Sequence, residues 1–143
     1  MESNILLIQS IFDDYRLAFH LNKQLNLKLT REKSSLLIKS KSQTNSLLKF
    51  TYNDIKNDLY WILIKNKIQL TPLITKESSI LRNSIPRVKC LLKTYKQFDY
   101  ILKINQNTIE IAKTIKKIRT VNGINFVCQL NHQTSINKIN TLI

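Results

Sequence analysis

The sequence predicts an α+β protein built as a two-layer sandwich, in which two main helices cover one face of a mostly antiparallel sheet. Two segments, Ser10 to Leu25 and Asn107 to Arg119, carry apolar residues at helical spacing. Short runs rich in β-branched and aromatic residues, which are typical of strands, lie between and after them. Helices packed on one side of an antiparallel sheet satisfy both patterns. A ferredoxin-like arrangement is one form of this class.

The first helix is predicted from about Ser10 to Leu25, after a short apolar run at Ile5 to Ile8 that gives a strand–helix start. Ser10 and Asp13 have the spacing of a capping box, in which two side chains satisfy the first free N–H groups. Asn26 is the expected stop. The apolar stripe that predicts the buried face consists of Leu17, Ala18, Leu21 and Leu25, widened by Tyr15 and Phe19.

The middle of the chain changes to a strand pattern. Leu27 and Leu29 alternate with polar residues, and Asn53-Asp54 and Asn57-Asp58 supply turn residues. Connections this short cannot return a parallel strand, so an antiparallel meander of two or three strands is expected. The runs that predict these strands are Leu36–Ile38, Leu47–Tyr52 and Leu59–Ile64.

Residues 66–94 form a basic stretch without a clear period. Pro72 and Pro86 interrupt it, and Glu77 is its only acidic residue. Because proline removes a donor from a strand ladder, irregular structure or a weak edge strand is expected here. The segment is interpreted as an insertion within a single domain that covers residues 1–130.

The C-terminal third is predicted to be a β-α-β unit. A strand is expected at Phe98–Ile104, and Asn107 with Glu110 again resembles a capping box that opens a helix ending near Arg119. Asn122-Gly123 supplies the turn. A strand at Ile124–Leu130 follows, and residues 131–143 are expected to be a polar, loosely docked tail. The residues expected on the buried face of the helix are Ile111, Ala112, Ile115 and Ile118.

The charge points to a polyanionic partner. The 143 residues include 23 Lys and Arg against nine Asp and Glu, a net charge of +14. Like charges repel on a compact domain unless salt or a polyanion screens them. The alternative is compositional drift, since Lys, Asn and Ile are the residues that an AT-rich genome favours. Both explanations stay open at this point.

Few residues suit catalysis. A single glycine excludes a phosphate-binding loop of the P-loop or dinucleotide type. Neither Cys90 and Cys128 nor His20 and His132 have partners at metal-ligand spacing. We therefore expect a non-enzymatic protein without cofactor or metal. The N-terminus lacks the pattern of a signal peptide and no apolar run is long enough to span a membrane, so a cytoplasmic protein is expected.

The leading functional hypothesis is binding to RNA or to a ribosomal particle through phosphate contacts. Such contacts give affinity with little sequence specificity and a strong dependence on salt. The aromatic residues Tyr52, Tyr60 and Trp61 could stack bases, but Tyr60 and Trp61 are adjacent and must point to opposite faces, which favours a core role. The residues assigned to phosphate contacts are Arg82, Arg87, Lys89, Lys93 and Lys96, helped by Lys113, Lys116, Lys117 and Arg119.

The second hypothesis is a protein-interaction module whose basicity is compositional drift. Exposed edge strands can accept a strand from a partner, and the first helix can offer an apolar face. A purified chain that carries no nucleic acid but a stoichiometric protein partner would favour this second hypothesis.

Two segments together resemble the small bacterial proteins called the IPExxxVDY family, typical of Bacteroidota. The stretch LIQSIFDDYRLAFHLNKQLNLKL at residues 7–29 resembles the opening of that family. Phe98-Asp99-Tyr100 is similar to its V-D-Y ending, with Phe in place of Val, whereas Leu92, Lys93 and Thr94 replace I-P-E. The resemblance implies a cytoplasmic single-domain protein with no assigned enzymatic activity. The high Lys, Asn and Ile content of this sequence would suit a member of that family from the reduced genome of a symbiont.

Overall fold

The computed structural model describes residues 3–40, 43–70, 87–105 and 110–143. Within these residues the helices are α1 (Asp14–Leu25), α2 (Ile111–Arg119) and α3 (Gln133–Leu142), with a 3₁₀ turn at Lys93–Tyr95. The strands are β1 (Asn4–Ser10), β2 (Thr30–Arg31), β3 (Leu36–Ser40), β4 (Gln43–Leu47), β5 (Lys49–Asp54), β6 (Leu59–Lys65), β7 (Lys67–Leu70), β8 (Arg87–Cys90), β9 (Tyr100–Asn105) and β10 (Ile124–Gln129).

In the described part of the chain, the main sheet has six strands in the order β10-β1-β9-β6-β5-β2, and all neighbours are antiparallel. Since β1 lies between β9 and β10, these two strands run parallel, and β9-α2-β10 is a split β-α-β unit. Likewise β6 runs parallel to β1 with β9 between them. The order β10-β1-β9-β6 is that of a ferredoxin-like sheet, which β5 and β2 extend. The predicted α+β sandwich is confirmed.

Alternate residues of the central strands point into two apolar layers. Leu6 and Ile8 of β1 face α1 and α2, where Leu17, Leu21 and Ile118 are fully buried. Ile5 and Leu7 face the opposite side, and the buried residues with which they pack there are Leu91, Leu92, Phe98 and Ile139. The two main helices thus share one face, as predicted, and α3 with the 3₁₀ turn packs on the other.

The beginning of α1 differs from the sequence prediction. Ser10 is the last residue of β1, and its hydroxyl donates to the carbonyl oxygen of Gly123 at 3.1 Å. The predicted capping box is therefore wrong: Asp13 is the N-cap residue, without a side-chain hydrogen bond to the helix. The end of α1 was predicted correctly, because Asn26 adopts the left-handed conformation with φ 56°.

The predicted meander is confirmed in β5 and β6, which form a hairpin that pairs Tyr52 with Trp61. The run at Leu36–Ile38 lies in β3, which pairs with β4 in a separate two-stranded sheet. In the basic insertion, β7 pairs with β8. The intervening residues 71–86, with both prolines, lie outside the described residues.

The β-α-β unit is confirmed with shifted boundaries. β9 begins at Tyr100 rather than Phe98, and α2 begins at Ile111 with Glu110 as its N-cap and no side-chain capping bond. Asn107 lies outside the described residues. On α2, Ile118 is buried as predicted, but Ala112 is exposed and Thr114 is buried instead. Gly123 has φ 102° in the turn before β10.

The prediction of a loosely docked tail is wrong. Residues Gln133–Leu142 form α3, whose Ile139 is fully buried against the sheet. The ammonium group of Lys138 also donates to the carbonyl oxygen of Leu91 at 2.6 Å, which ties α3 to the segment before the 3₁₀ turn. None of the helices in the described ranges has the length and apolar character needed to cross a membrane.

Candidate functional site

Those of the residues predicted to contact phosphate that the structure describes lie in two groups, on opposite faces of the sheet. Lys93 and Lys96 belong to the segment that packs through Leu92 and Phe98 against the face covered by α3. The basic residues of α2 lie in the layer formed by α1 and α2. The sheet therefore separates Lys93 and Lys96 from the basic residues of α2, and these two groups do not share one surface.

The structure describes part of the first group, which consists of Arg82, Arg87, Lys89, Lys93 and Lys96. Lys93 and Lys96 are exposed, and Lys89 on β8 is half-buried. Arg87 belongs to β8, but its side chain lies outside the described residues, as does the whole of Arg82.

The second group is more compact. Lys113, Lys116 and Lys117 are all exposed on one short helix. Arg119 has a different role: its Nη2 donates to the carbonyl oxygen of Val127 at 3.0 Å, and its guanidinium lies 6.0 Å from the centre of the Phe126 ring. Arg119 therefore joins α2 to the edge strand β10, and its contacts are structural.

Within the described ranges, Glu110 is the acidic side chain that forms an ion pair with one of these lysines. Glu110 forms an ion pair with Lys113 at 2.9 Å, but both side chains are mostly exposed, at 66% and 76%. Such pairs are screened by water and contribute little free energy. Among the described residues, neither Lys116 nor Lys117 forms an ion pair. The solvent face of α2 is therefore positive.

A groove of about 410 Å³ lies between α2, the end of α1 and the β5–β6 hairpin. Its α2 wall carries Lys113 and Lys117, one helical turn apart. Lys116 is not part of the lining. The lining residues are Leu25, Asn26, Leu27, Tyr52, Leu59, Trp61, Glu110, Lys113, Thr114 and Lys117.

The floor of the groove is aromatic. Tyr52 and Trp61 are cross-strand partners on the face toward the helices, and Tyr52 is half-buried while Trp61 is only 2% exposed. Tyr60 packs on the opposite face, as the alternation of a strand requires. The predicted core role of Trp61 is thus confirmed. However, its Nε1 is buried with no hydrogen-bond partner among the described residues.

Asp99 and Tyr100 hold the turn between β1 and α1. One carboxylate oxygen of Asp99 accepts from the backbone N–H of Ser10 at 2.9 Å, and the other lies 2.9 Å from Nζ of Lys67. The hydroxyl of Tyr100 donates to the carbonyl oxygen of Phe12 at 2.6 Å. Burial, with a smaller effect of nearby carboxylates, raises the pKa of Tyr100 far above its ordinary value, so it stays a protonated donor. These contacts give both residues a structural role.

A buried asparagine was missed by sequence reasoning. Asn66 is fully buried, and its amide nitrogen donates to the carbonyl oxygens of Tyr95 and Phe98 at 3.0 and 2.9 Å. Its amide oxygen accepts from the N–H of Leu92 at 2.8 Å. A single asparagine after an apolar run gave no signal for this role, because its partners are 26 to 32 residues away.

In residues 3–40, 43–70, 87–105 and 110–143, no three His, Cys, Asp or Glu side chains come together in a way that could hold a metal ion. No family model matches the chain, and comparison with curated proteins finds no match.

Proposed function

We propose that this protein associates with structured RNA, on the ribosome or on its assembly intermediates, through phosphate contacts and without catalysis. The observation that carries the proposal is the positive solvent face of α2, where Lys113, Lys116 and Lys117 are exposed together. The net charge of +14 supplies the long-range attraction for such a partner.

The geometry of α2 suits contacts to a phosphate backbone. Lys113 and Lys117 are one turn apart, roughly 6 Å along the helix axis, and Lys116 extends the row sideways. Lysine is a flexible point charge, which favours contacts that fix no base sequence. Lys93 and Lys96 on the other face would engage a separate segment of RNA, since the sheet lies between the two groups.

Salt dependence combined with charge substitution tests this proposal. Each phosphate that a lysine neutralises adds about 0.7 to 0.9 to the slope of log affinity against log salt. In fluorescence anisotropy with a labelled structured RNA, we expect K113Q/K116Q/K117Q to weaken binding and lower that slope by about 2.

The matched control is K28Q/K33Q/K56Q, which removes the same charge from exposed lysines that lie outside α2. We expect it to keep the wild-type slope to within about one unit. If both triple variants lost affinity and slope equally, the binding would depend on total charge and not on the α2 face.

A protein-interaction role is the second candidate, and one observation favours it. Tyr15 and Phe19 are 57% and 63% exposed and lie one turn apart on α1, and Ile11, in the turn that precedes α1, is 76% exposed. Exposed apolar residues grouped in this way are typical of surfaces that bind partners. Under this hypothesis I11S/Y15S/F19S would lose a stoichiometric protein that the wild-type chain retains on purification, and neither would retain RNA.

A further inference from the structure

We propose that Arg119 closes the free edge of the main sheet and keeps β10 from pairing with β10 of a second copy of this chain. This role is separate from the RNA association, because it operates in the protein without RNA. Two features support it: the backbone groups that β10 turns away from the sheet, and the path of the Arg119 side chain.

β10 is an outer strand of the main sheet, and no described strand pairs with its far side. The N–H of Leu130 donates to the carbonyl oxygen of Ile5, so the backbone groups of Leu130 face β1. These groups alternate along an antiparallel strand, and Cys128 therefore faces β1 as well. The N–H and C=O groups of Val127 and Gln129 point outward, where a further strand would pair with them.

Arg119 reaches this edge from α2. Its Nη2 donates to the outward carbonyl oxygen of Val127 at 3.0 Å. Its guanidinium also lies 6.0 Å from the centre of the Phe126 ring, and that ring lies 6.0 Å from Phe98, on the face of the sheet opposite α2. A side chain that begins on one face and contacts a ring on the other must pass around β10, and β1 occupies the inner side. Arg119 therefore lies across the free edge.

The composition of β10 explains why such a cover is needed. Free edges are usually protected by charged side chains, by proline or by a very short strand. Among the described strands, the other outer strand is β2, which has two residues, one of them Arg31. β10 has six residues, and none of them is charged or a proline. The guanidinium from α2 supplies the charge that the strand itself lacks.

A second copy of the chain is the strand that fits this edge once Arg119 is withdrawn. Antiparallel pairing of β10 with its own copy places Val127 of each strand opposite Gln129 of the other, so the outward groups satisfy one another. The two uncharged strands would bring no like charges together. In the single chain the carbonyl oxygen of Val127 instead accepts a charge-assisted hydrogen bond, which a second strand would have to displace.

Sedimentation equilibrium of the RNA-free protein, over a series of concentrations at high salt, measures self-association. R119A removes the cover and should strengthen self-association about tenfold or more relative to the wild type. The matched control is K23A, which removes one positive charge from the last turn of α1 and should leave self-association within about twofold.

The double variant R119A/Q129P identifies the surface. Because the N–H of Gln129 faces outward, proline at this position removes no bond to β1 but blocks a further strand. The double variant should therefore return to the weak self-association of the wild type. Circular dichroism confirms that each variant is folded. If R119A does not fold, R119K, which keeps the charge but loses the planar guanidinium, should shift self-association in the same direction by a smaller factor.

Amide hydrogen exchange followed by NMR gives a second readout. In the wild type, the amides of Val127 and Gln129 should exchange at rates that do not depend on protein concentration. In R119A, both should exchange more slowly as the concentration rises, because they become bonded to the second copy.

Three results would overturn the proposal. R119A could sediment as the wild type does, its self-association could persist unchanged in R119A/Q129P, or the wild-type chain could already pair through β10. None of these results bears on the RNA association, which is judged by its salt dependence.

Discussion

The hydroxyl of Tyr100 and the carbonyl oxygen of Phe12, which are 88 residues apart in sequence, form a hydrogen bond of 2.6 Å. Next to it, the carboxylate of Asp99 accepts from the N–H of Ser10. The two bonds hold the turn between β1 and α1 on the neighbouring strand β9. The orientation of α1, which forms one side of the groove, therefore depends on a pair of residues that sequence reasoning marked only by family resemblance.

Replacing Tyr100 with Phe should lower the free energy of unfolding by about 1 to 2 kcal/mol, because the Phe12 carbonyl loses its donor while the ring still packs. As a control, Y15F removes the hydroxyl of an exposed tyrosine and should change the free energy of unfolding by no more than about 0.5 kcal/mol. Urea unfolding followed by circular dichroism measures both. A Y100F protein as stable as the wild type would show that the bond does not hold the turn.

Replacing Asn66 with Ala should lower the free energy of unfolding by about 3 kcal/mol or more, which is a larger loss than for Y100F. The substitution leaves the N–H of Leu92 and the carbonyl oxygen of Phe98 without their side-chain partner in a buried site. N125A, at an exposed position on β10, is the matched control and should be nearly neutral. Similar stabilities of the two variants in urea would contradict the network.

Replacing Gly123 with Ala should destabilise the fold by about 1 to 3 kcal/mol. A residue with a side chain is strained at the φ of 102° that Gly123 adopts. In addition, a Cβ at this position would overlap Cζ of Phe12 and lie 2.7 Å from Cε2 of the same ring. The part of this loss that comes from the clash with Phe12 should disappear when Phe12 is also replaced. F12A/G123A should therefore lower the free energy of unfolding by less than the sum of the two single variants. Additive costs, measured by thermal unfolding, would place the strain in the backbone alone.

Acid should weaken one contact of the sheet edge. The hydrogen bond from Lys49, at 3.1 Å, lowers the pKa of Glu32. A carboxyl whose pKa is lowered by folding stabilises the fold above its unfolded pKa, and this contribution is lost as the pH falls through the folded pKa. E32Q should therefore be less stable than the wild type by up to about 1 kcal/mol at neutral pH, and the difference should shrink as the pH falls below 4.5, the ordinary pKa of the carboxyl, and through its lowered folded-state pKa. A difference that persisted in acid would exclude the ion pair as its cause.

Local patterns predicted the elements whose causes are local. Asn26 ends α1 because it tolerates the left-handed conformation, and Gly123 occupies the turn with positive φ. The hairpin of β5 and β6 follows from two short runs rich in β-branched and aromatic residues and from the Asn-Asp turn residues between them.

The sequence predictions were wrong where a side chain contacts a part of the chain that is distant in sequence. Ser10 looked like a helix cap, but its hydroxyl bonds to Gly123, which is 113 residues away in sequence. The polar C-terminal residues hid α3, although Ile136, Ile139 and Leu142 recur at helical spacing and pack on the sheet.

The groove beside α2 likewise depends on contacts between parts of the chain that are distant in sequence. Sequence reasoning identified Lys113 and Lys117 from charge and Tyr52 and Trp61 from composition, but only the fold brings all four to one groove. It assigned phosphate contacts to Lys93 and to the α2 lysines alike, but could not show that the sheet lies between them. Charge along a chain indicates the class of partner, whereas the surface on which that partner lies depends on topology.

The most direct test of the RNA association is sedimentation of a native lysate through sucrose gradients at low and high salt, with detection of this chain. We predict that the wild-type protein migrates with ribosomal particles at low salt and is released at high salt, while K113Q/K116Q/K117Q stays with small proteins at both. A wild-type chain that remained among the small proteins at low salt would contradict the proposed function.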